Sequence, residues 1–244
     1  NRFGVVSKKV PSVFITHQLN VLSGTTTYFT SVIHRNWIKK FRECWVPDIK
    51  KKPNLSGKLG HLKKTKLKIK YLGVLSRFEK KNIGEIYDLA IILSGPEPQR
   101  TMLEEIVNRQ LSEYNGNVIF VKGKIEPEQK SETIGSVTSY NFMTGSELEQ
   151  AINQSKVVLS RSGYTTLMDL VKLQKKAFFV PTPGQTEQEY LAKRLKKQGI
   201  APYSTQEKFK IEMLNGIELY KGFEDLSSTE PNWEYLFRIF TKER

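Results

Sequence analysis

The sequence has 244 residues, 38% of them hydrophobic and 26% charged, a composition typical of globular proteins that excludes a disordered or collagen-like chain. Its 39 Lys and Arg residues against 25 Asp and Glu give a formal net charge of +14. A single cysteine, Cys44, excludes an internal disulfide, and the three scattered histidines argue against a zinc site. No run approaches the roughly 20 consecutive apolar residues of a membrane-spanning helix.

The first 70 residues predict part of an α/β domain. Val13 to Thr16 and Cys44 to Val46 predict short strands, the second ended by Pro47. Between them, apolar side chains at helical spacing predict a helix whose apolar face comprises Phe29, Val32, Ile33, Trp37 and Phe41. Because the sequence begins with Asn1 and not with Met, we expect it to be a fragment whose preceding part completes this domain.

Most of the excess charge lies between Lys39 and Tyr71, where twelve basic residues accompany only two acidic ones, Glu43 and Asp48. Three interpretations are open. The basic residues form a solvated surface that keeps the protein soluble, attract an anionic membrane surface, or bind nucleic acid. The last is disfavoured because few aromatic side chains interleave with the lysines.

From residue 89 onward, short β-branched runs alternate with amphipathic stretches. The predicted strands are Leu89 to Leu93, Val118 to Val121, Val137 to Tyr140, Val157 to Ser160 and Ala177 to Val180. Four helices are predicted between and after these strands. The first has an apolar face formed by Leu103, Ile106, Val107, Leu111 and Tyr114, and the second begins with a capping box of Ser146 and Glu149. The third spans about Thr166 to Gln174, and the last runs from about Glu187 to the C-cap glycine Gly199. This order predicts a parallel sheet with helices on both faces.

Two stretches flank this region. Tyr71 to Phe78 is expected to connect the first domain to the second, and Pro231 to Phe240, which is rich in aromatic residues, is expected to form a closing helix.

The turn that follows the strand Val157 to Ser160 predicts an anion site. The strand leads into Arg161, Ser162 and Gly163, and a helix follows near Thr165. A glycine-containing turn between strand and helix exposes backbone N–H groups at the positive end of the helix, which together bind phosphate. The side chains of Arg161, Ser162 and Thr165 are candidate additional donors. The alternative is a turn of the same type without a ligand.

The segment from Val157 to Tyr203 resembles the donor-binding half of family 28 glycosyltransferases, which include the N-acetylglucosaminyltransferase that acts on peptidoglycan precursors. The residues of the family's motif occur here in the same order: Arg161, Ser162, Gly163, Thr166, Asp169, Pro181 and Gln188. The resemblance implies an α/β fold of the GT-B type, with two Rossmann-like domains built on parallel sheets, the N-terminal one incomplete. It assigns residues 1–75 to the acceptor-side domain, residues 76–222 to the donor domain and residues 223–244 to a closing C-terminal helix.

Carried over residue by residue, the resemblance implies donor-binding roles. Asp169 stands where the family uses a carboxylate, usually Glu, to hold the ribose hydroxyls of UDP; alternatively, it forms a capping box with Thr166. Gln185 and Gln188 match the loop that contacts the donor sugar, although they also suit an ordinary polar helix start.

Two further stretches complete the implied donor site. After the strand Leu89 to Leu93, prolines replace the family's phosphate-binding glycines, which leaves Ser94, Gly95 and Arg100 as the expected contacts. Phe142 and Met143 fall where the family's uracil pocket lies, and Phe142 otherwise suits a core aromatic.

The resemblance also implies an inverting transfer from a UDP-sugar, with UDP-N-acetylglucosamine as one candidate, to a saccharide or lipid-linked acceptor. The catalytic candidate is His17, which follows a strand and resembles the family's cleft histidine; a structural histidine is the alternative. The sequence has no Asp-x-Asp motif, so we expect no metal and no other cofactor. A UDP-sugar hydrolase or epimerase on the same fold, and a non-catalytic donor-binding subunit, remain open.

The expected location is the cytoplasm, where the segment from Lys39 to Lys70 would attach the protein peripherally to the inner face of the cell membrane. No nucleic-acid partner is expected.

Overall fold

The computed structural model describes residues 10–22, 26–223, 226 and 231–241. The chain divides into two compact units, one formed by Asn1–Leu75 with Ser228–Arg244 and the other by Ser76–Ser227. The main elements, in chain order, are β1 (Val13–Ile15), α1 (Thr27–Ile38), β2 (Glu43–Val46), β3 (Ile69–Tyr71), β4 (Tyr87–Ile92), α2 (Gln99–Asn108), β5 (Val118–Val121), β6 (Ser131–Ile134), β7 (Val137–Tyr140), α3 (Gly145–Asn153), β8 (Ser155–Ser160), α4 (Tyr164–Leu173), β9 (Lys176–Phe179), α5 (Thr186–Lys197) and α6 (Trp233–Phe237). Among the described residues, no helix is both long and apolar enough to cross a membrane.

The first unit is built on a parallel sheet of three strands in the order β1-β2-β3. In the central strand β2, Cys44 and Val46 pack with Leu19 on one face, whereas Trp45 packs with Leu236 on the other. Successive side chains of a strand point to opposite faces, so β2 contributes to a core on both sides of the sheet.

The two strands predicted in this unit are confirmed, with ends shifted by one residue. β3 is absent from the predicted elements and ends at Tyr71, where the connector is expected to begin. Lys68 precedes its three residues and Lys70 interrupts them, so they form no recognisable apolar run. The pairing of Cys44 with Ile69 holds β3 in place.

The helix α1 forms where the apolar spacing predicts it, but the predicted apolar face is largely exposed. Phe29 is 71% and Ile33 is 51% exposed, whereas the buried residues of the helix are Ser31 and Ile38. The hydroxyl group of Ser31 bonds with the backbone of Val21, which satisfies this polar side chain inside the unit. The helix therefore turns a different face inward from the one that its hydrophobic periodicity indicates.

The second unit contains a sheet of six described strands in the order β6-β7-β5-β4-β8-β9. The described strand pairs are parallel except β6 with β7. The five strands predicted from residue 89 onward are confirmed, with ends shifted by at most two residues. The additional strand β6 consists of four exposed residues, so no apolar pattern predicts it.

The start of α3 corrects one predicted cap. The capping box is formed by Thr144 and Glu147, two residues before the predicted pair of Ser146 and Glu149. The backbone N–H and the hydroxyl group of Thr144 both donate to the Glu147 carboxylate. Both pairs have the same spacing, and the sequence pattern alone does not choose between them.

The other helix ends agree more closely with the predictions. Gly199 follows α5 with a φ of +67°, a left-handed conformation that glycine adopts without strain, as the predicted C-cap requires. The described helix near the C-terminus, α6, lies within the predicted closing helix and is shorter. Much of the predicted helical span 223–244 lies outside the described residues.

The strand order creates a topological switch point between β4 and β8. From β4 the chain continues through α2 to β5 on one side, whereas β8 pairs with β4 on the other side. The loops that leave β4 and β8 therefore diverge at the carboxyl edge of the sheet, where open α/β sheets usually bind ligands.

Candidate functional site

The sheet brings the predicted donor-site residues to one edge. They occupy the loops and the first two helical turns that follow the parallel strands β4, β7, β8 and β9, namely Ser94, Gly95, Arg100, Phe142, Met143, Arg161, Ser162, Gly163, Thr165, Thr166, Asp169, Gln185 and Gln188. The carboxyl ends of parallel strands share one edge of a sheet, so residues as distant in sequence as Ser94 and Gln188 reach the same side of the unit.

The turn after β8 gives α4 an open positive end. The N-cap of α4 is Gly163, which has no side chain with which to cap the helix, and the first turn contains no acidic residue. Thr165 is exposed and Thr166 is partly exposed, while Ser162 is buried and donates its hydroxyl hydrogen to the carbonyl of Gln188 at 2.8 Å. This helix end suits an anion, since its N–H groups and dipole have no internal counter-charge.

Arg161, a predicted phosphate contact, is turned into the interior of the unit. Its side chain is 2% exposed, and its guanidinium group donates to the carbonyl oxygens of Val180, Pro181 and Gln99 and to the side-chain oxygen of Gln206, at 2.6 to 3.2 Å. All four acceptors are neutral. Burial lowers the pKa of Arg161 to about 10.

Arg100 is likewise directed inward and not toward a ligand. Its guanidinium group pairs with Glu97 and Glu104 and donates to the carbonyl of Lys122. Despite burial, these two carboxylates raise the pKa of Arg100. The second oxygen of Glu97 accepts from the backbone N–H of Thr101 at 3.1 Å, so a carboxylate already occupies the start of α2. The exposed Ser94 and Gly95 are therefore the predicted contacts of this loop that remain available.

Asp169 lies in the second turn of α4, which excludes the alternative capping box with Thr166 because the N-cap is Gly163. Its Oδ1 accepts a hydrogen bond of 2.6 Å from the hydroxyl group of Ser76, and its other oxygen accepts none from the described residues. Burial raises the pKa of Asp169, while the bond from Ser76 and the charge of Arg77 act in the opposite direction. The carboxylate thus keeps one oxygen for a ligand.

The loop after β9 is held by its own side chains. The backbone N–H of Thr182 donates to Oε1 of Gln188 at 2.9 Å, and the Gln188 amide nitrogen donates to Oε1 of Gln185 at 2.6 Å. Gln188 therefore uses both ends of its amide inside the loop, whereas the Gln185 amide nitrogen has no acceptor among the described residues. Within the described part of the chain, the buried hydroxyl oxygen of Thr182 also has no hydrogen-bond partner.

Phe142 and Met143 follow β7, further along the same edge. The backbone N–H of Phe142 donates to the side chain of Asn141, and its carbonyl accepts from Gln129. Both side chains are partly exposed, and Met143 lines a small cavity of about 200 Å³ together with Tyr140 and Gln150.

The candidate base His17 belongs to the first unit, where it follows β1 and is partly exposed. The chain beyond it is held by bonds from the backbone N–H groups of Leu19 and Asn20 to the carbonyl of Leu59. A Cβ atom at Gly60 would lie 3.0 Å from the carbonyl oxygen of His17, so glycine permits this close approach of the two loops.

A buried carboxylate supports the loop opposite His17. Asp48 is fully buried and accepts from the backbone N–H groups of Leu55 and Ser56, from the Ser56 hydroxyl and from His61. Against the effect of burial, these bonds lower the pKa of Asp48. Because all of its partners belong to one loop, Asp48 acts as a structural anchor.

Two residues with a bearing on the site are absent from the sequence predictions. Ser76 contacts Asp169 across 93 positions of sequence, which no local pattern reveals. Gly123 follows β5 with a φ of +70°, and a Cβ atom there would overlap the carbonyl oxygen of Leu93 in the loop after β4. A strand followed by Lys-Gly-Lys is the available hint of a tight turn at this position.

Among the described residues, no group of three or more His, Cys, Asp and Glu side chains is arranged to hold a metal ion.

Comparison with protein families identifies a match. A model of the glycosyltransferase family 28 C-terminal domain matches residues 98–221, about half of the chain. These residues contain the first turn of α2, the turn before α4 and the loop before α5. No curated protein sequence matches the chain significantly.

Solved structures show the same fold at low sequence identity. MurG from Acinetobacter baumannii is 14% identical with a TM-score of 0.56, and the match covers 95% of this chain and 66% of MurG. The glycotransferase of kitacinnamycin is 14% identical with a TM-score of 0.51, over 75% of this chain and 47% of that protein. The chain thus spans less than two thirds of either structure. The predicted fold class, α/β of the GT-B type with parallel sheets, is confirmed.

Proposed function

This chain belongs to glycosyltransferase family 28, and from that membership we propose that it binds a UDP-sugar in its second unit and transfers the sugar to an acceptor hydroxyl with inversion. UDP-N-acetylglucosamine is a candidate donor, and the acceptor is a saccharide, free or lipid-linked. We further propose that the transfer requires no metal ion.

The observation that carries this proposal is the combination of an uncapped helix end with a carboxylate on the same helix. The N-terminus of α4 has no acidic residue and suits the diphosphate. Asp169 lies five residues beyond Tyr164, about 7.5 Å along the helix axis, and keeps one oxygen free of partners among the described residues. This span is comparable to that between the diphosphate and the ribose hydroxyls of a nucleotide.

The proposed mechanism assigns the leaving-group charge to the protein. As the bond between sugar and diphosphate breaks, negative charge grows on the diphosphate, and the N–H groups at the start of α4 are already oriented to stabilise it. Phe142 and Met143 are proposed to contact the uracil, and Gln185 the sugar. His17 is the proposed base that takes the proton of the acceptor hydroxyl, since imidazole accepts protons near neutral pH.

Nucleotide selection tests the donor site. We expect UDP to bind at least about tenfold more tightly than UMP, because a second phosphate adds charge-assisted hydrogen bonds at the start of α4. Calorimetric titration with UDP, UMP and GDP measures this selectivity. Equal affinity for all three nucleotides, or no binding of UDP, contradicts the proposed site. If UDP binds, release of free sugar from a UDP-sugar without acceptor would indicate a hydrolase.

A separate feature of the first unit favours contact with an anionic membrane surface, which we propose as a second property. Tyr28, Phe29 and Ile33 expose 51–71% of their surface on α1. Other residues of the same helix, beginning with Val32, border an open cavity of about 500 Å³, lined on its polar side by Arg35, Asn36, Lys39, Lys64, Thr65 and Lys66, without an acidic residue. Exposed apolar side chains next to unpaired cations suit an interface of acyl chains and anionic headgroups.

The proposed membrane contact involves only part of the charged segment from Lys39 to Lys70. Lys70 pairs with Glu43 at 3.1 Å and lies over the ring of Tyr235, so it is not free for lipid. The lysines at 64 and 66 are exposed and form no ion pair among the described residues. The contact is therefore proposed for α1 with residues 64–66, on the inner face of the cell membrane.

Vesicle binding tests this surface. Reversing two charges in Lys64→Glu with Lys66→Glu is expected to weaken binding to anionic vesicles by more than about tenfold, since each lysine near the surface contributes about 1 kcal/mol. The matched control reverses the exposed Lys50 and Lys51, outside the cavity, and retains more of the binding. Co-sedimentation with phosphatidylcholine vesicles, with and without phosphatidylglycerol and at low and high salt, measures the effect. Equal loss in both variants, or indifference to the anionic lipid, contradicts the proposal.

A further inference from the structure

Arg161 is a buried cation without a counter-charge. Its side chain is 2% exposed, its four hydrogen-bond acceptors are neutral oxygens, and no Asp or Glu among the described residues pairs with it. Arg100, on the same edge, provides a contrast, because two carboxylates surround its guanidinium group. An unpaired buried charge destabilises a fold, so its presence requires an explanation outside stability.

The position of Arg161 connects three turns at the carboxyl edge of the sheet. Arg161 itself follows β8 and precedes α4, whereas its partner Gln99 is the first residue of α2 and its partners Val180 and Pro181 follow β9. One guanidinium group thus links the loops that follow β4, β8 and β9, on both sides of the switch point. Each of the three loops leads to the N-terminus of a helix.

The same edge offers the anion that Arg161 lacks. The first turn of α4, three residues beyond Arg161, has no acidic side chain and no side-chain cap. Helix N-termini and a buried cation both favour negative charge, and in a partly buried site the attraction acts over several ångströms without direct contact. The missing counter-charge is therefore expected from a ligand.

We infer that Arg161 is a positioning residue for the donor diphosphate. It attracts the diphosphate through its unpaired charge, and its hydrogen bonds hold the loops after β4, β8 and β9 in position around it. This inference rests on the proposed donor site. It differs from the predicted role of Arg161, because the guanidinium group acts from beneath the site and does not touch the phosphate.

Gln206 provides a substitution that neutralises Arg161 in place. Its Oε1 accepts from the guanidinium group at 2.6 Å, and its side chain is buried, so Gln206→Glu puts a carboxylate on the cation with little change in shape. Gln206→Leu is the matched control. Both substitutions remove the bond from Gln206 to the side chain of Gln99. Gln206→Glu keeps an acceptor for the guanidinium group and adds a charge, whereas Gln206→Leu removes the acceptor and adds no charge.

Gln206→Glu is expected to lower the affinity for a charged ligand and not the affinity for an uncharged one. Gln206→Glu lowers the affinity for UDP by at least about tenfold. It changes the affinity for uridine, which has no phosphate, by no more than about twofold, since the lost attraction acts on charge alone. Its thermal stability equals or exceeds that of Gln206→Leu, because the buried cation gains a partner. Calorimetry with UDP, ligand-observed NMR titration with uridine and thermal unfolding of the full chain measure the three quantities.

Other outcomes distinguish this inference from the proposed function. If Gln206→Glu lowers the affinities for UDP and uridine equally, Arg161 has only a structural role. The inference is then overturned, while the proposed donor site stands. If the unaltered protein binds inorganic pyrophosphate but not UDP, the proposal of a nucleotide site fails. The inference then stands only if Gln206→Glu lowers the affinity for pyrophosphate. If the unaltered protein binds neither anion, both are overturned.

Discussion

Asp169→Asn is expected to weaken UDP binding by roughly 10- to 100-fold without destabilising the protein. The loss follows from replacing a charged acceptor of the ribose hydroxyls by a neutral one, since hydrogen bonds to charged groups contribute about 1.5–3 kcal/mol. The fold is preserved because the asparagine oxygen can still accept the hydrogen bond that Ser76 donates to Oδ1. Calorimetry with UDP and thermal unfolding of the same samples measure the two effects.

The sign of the stability effect follows from the pKa of Asp169. Burial raises that pKa above its ordinary value, so the folded protein holds the proton more tightly than the unfolded chain. The corresponding stabilisation is fully present below the ordinary pKa and is lost as the pH rises through the raised pKa. Above that range the unaltered protein carries a partly buried charge that Asp169→Asn lacks, and the variant is expected to be equally or more stable.

Asp88 provides the matched control, because it lies near the amino end of β4, at the opposite edge of the same sheet. Hydrogen bonds from Lys156 and Asn117 lower its pKa, so Asp88→Asn is expected to lose some stability at neutral pH and to keep its affinity for UDP. A variant Asp169→Asn that binds UDP as well as the unaltered protein, or whose affinity falls no more than that of Asp88→Asn, would remove Asp169 from the donor site.

Gly123→Ala is expected to destabilise the protein by about 2–5 kcal/mol, because the new Cβ atom meets both a left-handed backbone and occupied space. Left-handed backbone costs a residue with a Cβ atom about 1–2 kcal/mol, and forcing atoms into occupied space costs about 1–3 kcal/mol more. Gly123 has a φ of +70°, and its new Cβ atom would overlap the backbone carbonyl of Leu93, which cannot rotate away as a side chain does. Urea unfolding measures the loss.

The turn between β6 and β7 offers the control. Gly135 has a φ of +59° and no atom within 4 Å of the position of a Cβ, so Gly135→Ala retains the backbone strain without the overlap. We expect a loss of only about 1–2 kcal/mol there. Since Leu93 precedes Ser94, Gly123→Ala is also expected to weaken UDP binding, whereas Gly135→Ala is not. Equal losses of stability in the two variants would show that the overlap with Leu93 is relieved.

Much of the second unit could be predicted from local patterns. A parallel strand buried on both faces, such as β5 with its four buried residues, requires a short run of apolar and β-branched side chains that is visible in any window of the chain. The alternation of such runs with amphipathic helices led to the parallel sheet, and the parallel sheet requires the residues after its strands to share one edge. The exposed strand β6 has no such run and could not be found in this way.

The first unit was less predictable because its surface breaks the rule that apolar side chains are buried. The spacing of Phe29, Ile33 and Trp37 predicts a buried face, but Phe29 and Ile33 are more than half exposed. The spacing of apolar residues indicates that a helix has an apolar face, but it does not indicate what covers that face. The same helix buries Ser31, whose hydrogen bond to Val21 depends on a loop ten residues away in sequence.

Apart from β3 and β6, the sequence by itself determined the order of strands and helices along the chain, and it also determined the family and the edge of the sheet where a ligand is expected. These depend on residue types and spacings within short windows. Only the tertiary structure decided which polar groups are free. Arg100 and Arg161 both follow strands at that edge, yet both side chains are turned inward. The guanidinium group of Arg100 pairs with two carboxylates, and that of Arg161 donates to four neutral oxygens. The partners of Arg161 lie 19 to 62 positions away in sequence, and the availability of a charge depends on such distant contacts and on the burial that they cause.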